Sequence, residues 1–538
     1  MNILLLSMIV IVYLAIIGFL GYIGFRRTQS AEDYIIAGRS MHPYIMALSY
    51  GATFISTSAI IGFGGACSLF GLGLLWLVFL NIFVGIFVAF AFFGKRTRRM
   101  GLNLNAHTFP EFLGNRFNSR ALQGLSGGLI FIAMPLYASV VLMGGTQFIA
   151  QVLNVDYNSA LFFFTVIIAV YVIMGGLKGV MYTDAFQGTL MFIGMLLLII
   201  FTYVKLGGFV QAHSKLADMA PLAQNYFGKA GATGWTSFPA FMSDWWIVMV
   251  TSIIFGVGIG VLAQPQLAVR FMTVRSDREL NRAVLVGGIF ILIAAGGAYI
   301  VGALSNVFFY EHPDFQTISF LAVDKQVDQV IPLYIKTAMP GWFTAVFMVT
   351  LLSAAMSTLS SQFHAMGTAV GRDIYEKSLH GRGSTMVISR IGILIAILFS
   401  LFLAWGMPLF FENGTAIIAR GTAIFFGLCA SAFLPMFMGA LYWKRMKKSA
   451  AMSGFVAGFV SSFFWLFFVH TKESEPLGLC KALFGVDSLA AGTTWEIVDP
   501  LVIALPIAIV ATIAGQLSGK ALPRNIVNNA FDGKDIKY

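Results

Sequence analysis

Apolar runs of about 20 residues recur along the whole of this 538-residue sequence. A run of that length is what an α-helix needs to cross the hydrocarbon core of a bilayer. Charged residues make up only 11% of the chain, whereas a soluble domain carries about 25%. A transmembrane β-barrel would show short segments of alternating hydrophobicity instead. The sequence therefore predicts an all-α polytopic membrane protein.

We place about 13 transmembrane helices on these runs. The first run has no cationic region before it and no small-residue cleavage site after it, so we interpret it as a retained helix and not a signal peptide. The predicted spans are 3–25, 42–69, 72–94, 122–152, 158–176, 182–206, 241–271, 281–309, 339–370, 386–408, 415–442, 449–470 and 498–518.

The basic residues are concentrated on one side of the predicted membrane spans. Clusters such as Arg26–Arg27, Lys95–Arg99 and Lys444–Lys448 fall on one side, whereas the loops near 207–240, 310–338, 409–414 and 471–497 are mixed or acidic. By the positive-inside rule, the N-terminus lies outside and the C-terminus is cytoplasmic, which needs an odd number of spans. We expect a multi-pass protein of the cell (inner or plasma) membrane. The net charge of +11 is thus no indication of nucleic acid, and the three cysteines show no metal or disulfide spacing.

Two spans contain helix-breaking sequences. The second is small and hydroxylated from Ser49 to Ser58, and the seventh contains glycines from Gly256 to Gly260 and then Pro265. Non-helical backbone at membrane depth survives only where it is buried in protein or lines a cavity. Because the two spans are five apart, each begins a set of five, which predicts inverted repeats with a binding site at the two breaks.

A polar insert in the ninth span, within Leu351 to Lys377, indicates an ion site. Ala354, Ser357 and Thr358 share one helical face. The hydroxyls could simply bond back to their own helix. Alternatively, they and the Ala354 carbonyl are oxygen ligands of a small cation, and carbonyls near Ala52 and Ile55 in the soft second span complete the shell.

Several stretches, in order from about residue 31 to 445, resemble the sodium:solute symporter family, which includes sugar, proline, pantothenate and monocarboxylate carriers. The series of stretches indicates this family far more specifically than any single stretch does. They are Asp33–Ser40, Thr108–Phe112 with Arg116–Phe117, Tyr171–Gly176 with Val180–Gln187, Gln264–Met272, and Met356–Gln362 with Asp373–Tyr375.

The resemblance implies a leucine-transporter-like 5+5 inverted repeat with one helix before it and two after, working by alternating access. The implied division is 1–41 (extra helix and first cytoplasmic loop), 42–207 (first repeat), 208–240 (outer loop), 241–445 (second repeat), 446–519 (two further helices) and 520–538 (short cytoplasmic tail). It implies Na⁺ as the coupling ion.

Carried over by position, the implied Na⁺ ligands are the carbonyls of Ala52, Ile55 and Ala354 and the hydroxyls of Ser357 and Thr358. All-oxygen ligation suits a hard monovalent cation. Asp184, near the end of the sixth span, is either an interface residue or, as the resemblance implies, a second ion site or a relay. Phe54 stands where some relatives carry Asp or Asn, so the sequence leaves the ion stoichiometry open.

We expect the solute pocket between the broken helices. The candidates are Ser56, Thr57, Tyr137 and Gln264, with Gln147 also considered; for each alone, ordinary helix–helix hydrogen bonding is as good an explanation. The proline-carrying relatives have a WGLGY pattern where this chain has Val257 to Val261, which argues against proline. Too few hydrogen-bonding side chains and aromatic faces are visible for a sugar.

Arg420 lies about two turns into the eleventh span. It either reaches the headgroups or pairs with Glu412, or it faces the cavity and holds a carboxylate. The second alternative makes a small organic carboxylate, a short monocarboxylate or pantothenate, our first choice of solute. His364 is interpreted as a packed or hydrogen-bonded residue, with a proton role as the minority alternative.

The sequence thus predicts Na⁺-coupled uptake of a small organic solute. Na⁺/proline symport and H⁺-coupled symport through Asp184 are the alternatives, and a transporter-like membrane sensor ranks below them because little chain follows residue 518. No catalytic dyad or metal cluster is visible, so we do not expect an enzyme. The expected partners are the solute, Na⁺ and the lipid bilayer, with no nucleic acid and no obligate protein partner.

Overall fold

The structure is a computed structural model that describes residues 3–381, 383–410 and 417–532. It is built from helices, and no β-strand occurs within these residues. The long helices are α1 (Ile3–Arg27), α2 (Pro43–Phe54), α3 (Arg120–Leu153), α4 (Tyr157–Lys205), α5 (Asp277–Glu311), α6 (Gly341–Thr368), α7 (Thr385–Phe410), α8 (Ile417–Tyr442), α9 (Lys448–Phe468) and α10 (Pro500–Leu517).

Eleven helices of the described chain are long and apolar enough to cross a membrane. One of them, Ser58–Asn103, has 46 residues, about twice the length that one crossing needs, and Gly71 within it has a φ of +69°. Helix α4 is likewise bent at Gly176, where φ is +60°. The all-α membrane class is confirmed, whereas the count of 13 and the division into repeats remain predictions.

The two interrupted spans are broken as the sequence predicts. Helix α2 ends at Phe54, Ile55 is extended, and a π-helical turn then begins at Ser58. The second interruption lies at Gln264, where an extended residue separates Val261–Ala263 from a helix that starts with Pro265. Proline suits a first helical position because its missing N–H would be unpaired there anyway.

Shorter helices cover the ends of the bundle. Two of them, Phe209–Asp218 and Ala220–Phe227, lie in the predicted 207–240 loop, and Arg524–Asp532 lies in the predicted tail. The latter packs on Lys95–Asn103, where the Asn103 amide donates to the Ala530 carbonyl (3.2 Å). The basic cluster at 95–99 belongs to the helix Lys95–Asn103. The predicted loop segment 411–414, the start of the eleventh span at 415 and Glu412 lie outside the described residues.

Helices α2, α4 and α6 form the centre of the molecule. Helix α6 is almost wholly buried: 94% of its most apolar stretch lies inside the protein. It packs against α4, α3 and α2. A helix that is buried all round can place polar side chains far from lipid. The hydroxylated face of α6 therefore meets the broken end of α2 inside the protein.

Candidate functional site

The last turn of α2 provides carbonyl oxygens that its own helix cannot pair. The chain leaves helical geometry at Ile55, so the carbonyls of the preceding turn lack the N–H groups that a continuing helix would supply. Two side chains of α6 donate to these oxygens. The Ser357 hydroxyl lies 2.9 Å from the Ala52 carbonyl oxygen, and the Thr358 hydroxyl lies 3.1 Å from that of Thr53.

The Thr358 hydroxyl also lies 3.4 Å from the Ala52 carbonyl oxygen, so the structure brings together four of the five predicted sodium ligands by direct contact. The Ser357 hydroxyl is also 3.4 Å from the Ala354 carbonyl oxygen, and Ile55 is the first residue beyond the broken end of α2. All are buried. Neutral hydroxyl and carbonyl oxygens fit Na⁺, a hard cation that needs few full charges around it.

Next to this site lies a buried ion pair that joins three broken or bent elements. Arg270 Nη2 donates to Asp184 Oδ2 at 2.9 Å, with both side chains at most 1% exposed. Hydroxyls of α2 also contact these groups: Ser49 donates to Asp184 Oδ2 at 2.8 Å, and Arg270 Nη2 donates to Thr53 Oγ1 at 2.6 Å. Such pairing offsets part of the cost of burying two charges.

Ser361 links the ion pair to the candidate sodium site. Its hydroxyl accepts from Arg270 Nη2 at 2.5 Å and lies 3.0 Å from the Ser357 carbonyl oxygen, one turn earlier on α6. Asp184 thus lies beside the predicted site, as a second ion site or relay requires, and its Oδ1 is buried with no hydrogen-bond partner. The sequence analysis assigned no role to Arg270, which appeared there only within the Gln264–Met272 motif. A charged residue inside a predicted span was itself an indication of function.

Two of the predicted solute residues line one small cavity at the break of α2. The Tyr137 hydroxyl lies 3.4 Å from Ser56 Oγ, and the ring of Tyr137 stacks on Phe425 with its centroid 5.5 Å away. All lining residues are buried or nearly so, so the cavity is closed to solvent in this conformation. The full lining is Phe54, Ile55, Ser56, Ala59, Phe63, Asn81, Tyr137, Val257, Tyr299, Thr422 and Phe426.

The other solute candidates lie elsewhere. The Thr57 hydroxyl donates to the Val141 carbonyl on α3 (2.7 Å), the Gln264 amide oxygen accepts from Gln266 (2.7 Å), and Gln147 is half-buried outside the cavity lining. Sequence reasoning missed Asn81, whose Oδ1 is buried without a partner. A lone amide in an otherwise apolar span was the available indication.

Arg420 is engaged with the 471–477 helix and not with this cavity. Its guanidinium forms an ion pair with Glu473 and contacts His470 Nδ1 at 2.7 Å. Burial alone would raise the pKa of Glu473, but the charges of Arg420 and His470 hold that pKa well below its usual range. The cavity that Arg420 lines is a separate apolar one between α3, α7, α8 and α9. Glu412, the partner considered from the sequence, lies outside the described residues.

His364 lies about two helical turns after Ser357 on α6. Its ring packs at 5.4 Å from that of Tyr34, centroid to centroid, and its Nε2 is buried without a partner.

The chain is similar to proline carriers over most of its length. It is 28% identical to the high-affinity proline transporter PutP of Bacillus subtilis over 455 residues, which cover 83% of this chain and 89% of the relative. It is 26% identical to the sodium/proline symporter 2 of Staphylococcus saprophyticus over 499 residues, 90% and 89% of the two chains.

A solved structure shares the fold. It is a Na⁺-coupled sialic acid symporter in a substrate-bound, outward-open state, with a TM-score of 0.73 and 19% identity over 96% of this chain and 98% of the other. At this level of identity the likeness concerns the fold alone. It confirms the leucine-transporter-like helical architecture that the sequence resemblance implies.

The sequence model of the sodium:solute symporter family matches residues 34–458, which is most of the chain. A match of that extent makes Na⁺ the coupling ion and a small organic solute the cargo. It also makes the protein a multi-pass membrane transporter and not an enzyme. The chain belongs to the sodium:solute symporter family.

Proposed function

We propose that this symporter takes up a small carboxylate-bearing solute across the cell membrane, with its basic end facing the cytoplasm. Na⁺ binds between the Ala52, Ile55 and Ala354 carbonyls and the Ser357 and Thr358 hydroxyls. The observation that supports this most directly is the contact of both hydroxyls with the orphan carbonyls at the end of α2. A cation there bridges α2 and α6, which move relative to each other in alternating access.

The solute occupies the cavity beside Ser56 and Tyr137. The chain resumes helical geometry at Thr57 and Ser58. Ser56 already accepts hydrogen bonds from the Ser58 and Ala59 N–H groups, so it is the positive end of the helix dipole that favours a carboxylate here. The Tyr137 and Ser56 hydroxyls add donors, and Phe54, Val257 and Phe426 provide an apolar wall. In this proposal Arg420 does not hold the carboxylate, because Glu473 already pairs with it.

Proline is the second candidate within this class. The named relatives are proline transporters, and proline adds to the carboxylate a secondary ammonium that needs an acceptor. Asn81 Oδ1, which lines the cavity without a partner, is placed to accept it. A short monocarboxylate or pantothenate would make no use of Asn81.

Uptake into proteoliposomes tests the solute. Labelled proline, acetate, propionate, pyruvate, lactate and pantothenate are compared under an inward Na⁺ gradient, a proton gradient, and choline in place of Na⁺. We expect one carboxylate to accumulate only with Na⁺. Accumulation of proline that Asn81→Leu abolishes identifies the amino acid, whereas accumulation driven by protons alone in choline would contradict the proposed coupling.

A further inference from the structure

A second cavity, with a mostly apolar lining and a few polar groups, lies between the ion pair and the basic end of the molecule. It has a volume of about 30 Å³, room for an ion or a water molecule, and is formed by α6, by the residues after the Gln264 break and by the segment around the start of the helix Phe109–Arg116. Its lining includes Arg270, Ser361, Thr108 and Asp373. We call it the inner chamber.

Asp373 is an unusual residue in this chamber. Its Oδ1 accepts hydrogen bonds from the Thr108 hydroxyl (2.6 Å) and the Gln123 amide (2.8 Å). Its Oδ2 is buried and has no hydrogen-bond partner. A buried carboxylate oxygen without a donor costs more free energy than a satisfied one, and function is one reason for a protein to keep it.

The neighbouring charges are already paired with other groups. Arg270 pairs with Asp184, and Arg372 pairs with Glu111 (3.0 Å) and Glu376 (2.6 Å). Burial alone would raise the pKa of Glu111, but the hydrogen bond from His107 and the charge of Arg372 hold it at about 2. Asp373 is the carboxylate of the chamber lining that has no ion-pair partner among the described residues.

A second oxygen in the chamber is also unpaired. The Gln266 amide donates through Nε2 to Gln264 (2.7 Å), which leaves Gln266 Oε1 buried without a partner. A carboxylate and an amide oxygen are ligands that hard cations prefer.

The chamber continues the line of polar groups that starts at the proposed sodium site. Ser357, Ser361 and Thr368 follow one another at helical spacing on α6, and Asp373 lies on the π-helical continuation Ala369–Ser378. Asp373 lies sixteen positions after Ser357, about 24 Å along an α-helix. Ser361 belongs both to the ion-pair cluster and to the chamber lining.

We propose that Asp373, with Gln266, forms a transient Na⁺ site in the inner chamber, where the ion stops between the Ser357–Thr358 site and release at the basic end. This inference rests on the proposed function, since it concerns the same ion on the same path. The Asp373 carboxylate adds a negative charge between the Asp184–Arg270 pair and the basic end of the molecule. There it attracts the cation as it leaves the ligands of the Ser357–Thr358 site.

Sided membrane vesicles test this proposal. Right-side-out and inside-out vesicles from the same cells give the Na⁺ concentration for half-maximal transport from each face of the protein. With Asp373→Asn, we expect that concentration to rise about tenfold at the basic face, because the loss of a group that supports a metal site typically lowers metal affinity by at least about that factor. At the opposite face it should change by less than about twofold, a small free-energy difference.

Gln123→Leu is the matched control, because it removes a hydrogen bond to the same carboxylate but keeps the charge. We expect it to lower thermal stability without the one-sided change in Na⁺ dependence. Should Asp373→Asn fold poorly, Gln266→Met removes the second oxygen and is expected to raise the half-maximal Na⁺ value at the basic face only.

The outcomes distinguish the inner Na⁺ site from the proposed symport. If the unaltered protein needs Na⁺ and Asp373→Asn shifts both faces equally or neither, the inner site is overturned while the proposed symport stands. If Gln123→Leu reproduces the one-sided change, Asp373 acts only through packing and the inference is also overturned. Solute transport independent of Na⁺ in the unaltered protein would overturn both.

Discussion

Ser357 and Thr358 donate hydrogen bonds to carbonyls that would themselves be Na⁺ ligands. The Ser357 hydroxyl faces the oxygens of Ala52, Ser353 and Ala354 at 2.9, 2.8 and 3.4 Å. When a cation binds, both the hydroxyl and the carbonyl turn lone pairs toward it, so the hydroxyl hydrogen must point elsewhere. The Ser353 carbonyl offers that alternative acceptor within the same helix.

Removal of the two hydroxyls should therefore uncouple uptake from Na⁺. We expect the double change Ser357→Ala with Thr358→Ala to lower Na⁺-dependent uptake more than about tenfold with little effect on expression, since lost ligands cost metal affinity of at least that order. Thr350→Val is the control: within the described part of the chain, the Thr350 hydroxyl donates only to the Val346 carbonyl of its own helix (3.3 Å). Unchanged Na⁺ dependence in the double variant would falsify the ligand assignment.

The Arg420–Glu473 pair allows a second test at single residues. Breaking a mostly buried pair leaves one charge uncompensated, so Arg420→Gln should lower the free energy of unfolding by about 3 kcal/mol. Adding Glu473→Gln should restore part of that loss, because the Glu473 carboxylate is then no longer buried without its arginine. Thermal unfolding measures both.

Solute affinity distinguishes the structural role of Arg420 from a binding role. We expect the solute concentration for half-maximal uptake to change less than about twofold in the double variant. A large increase together with full recovery of stability would instead support the sequence-based hypothesis that Arg420 holds the carboxylate.

Among the helices, the broken second span packs closely against α5. A Cβ atom built on Gly302 of α5 would collide with the carbonyl oxygen of Gly64, just after the break. The two backbones can approach this closely only because position 302 has no side chain. Gly302 is thus one of the residues on which the close approach of this segment to α5 depends.

Gly302→Ala should consequently destabilise the protein by about 1–3 kcal/mol through overpacking. Gly128→Ala is the matched control on α3, because nothing lies within 4 Å of a Cβ at that position. Alanine also favours helix over glycine by about 1 kcal/mol, so the two changes should have opposite signs in thermal unfolding. Equal destabilisation by both would exclude the close contact as the cause.

Across the whole molecule, the ion site and the solute cavity share the broken end of α2. Ala52 and Ile55 belong to the proposed ion site, and Ile55 and Ser56 line the solute cavity. Any ligand that fixes this segment for one site also prepares it for the other. Coupling of this kind must be reciprocal in binding free energy.

Thermal unfolding in Na⁺ and in choline measures the coupling. At 100 times its dissociation constant, a ligand that binds only the folded state stabilises it by about 2.7 kcal/mol. We expect the transported solute to raise the midpoint more in Na⁺ than in choline, with the combined shift exceeding the sum of the separate ones. Strictly additive shifts would show that the two sites are independent.

The sequence by itself determined the class of this protein, the broken spans and the proposed ion ligands. Span length and helix-breaking residues act locally, so the breaks near Ile55 and Gln264 follow from neighbours in the chain. The Ser357 and Thr358 pair was visible because helical spacing places both on one face. The family motifs then joined these hydroxyls to the carbonyls of α2.

Only the tertiary structure decided which buried polar groups meet. Arg270 and Asp184 are 86 positions apart, and Arg420 finds Glu473 53 positions away, so no local pattern could pair them. The unpaired oxygens of Asp373 and Asn81 are likewise defined by what surrounds them. A charge in a low-dielectric interior is governed by its spatial partners, and the amino-acid order alone does not specify those partners.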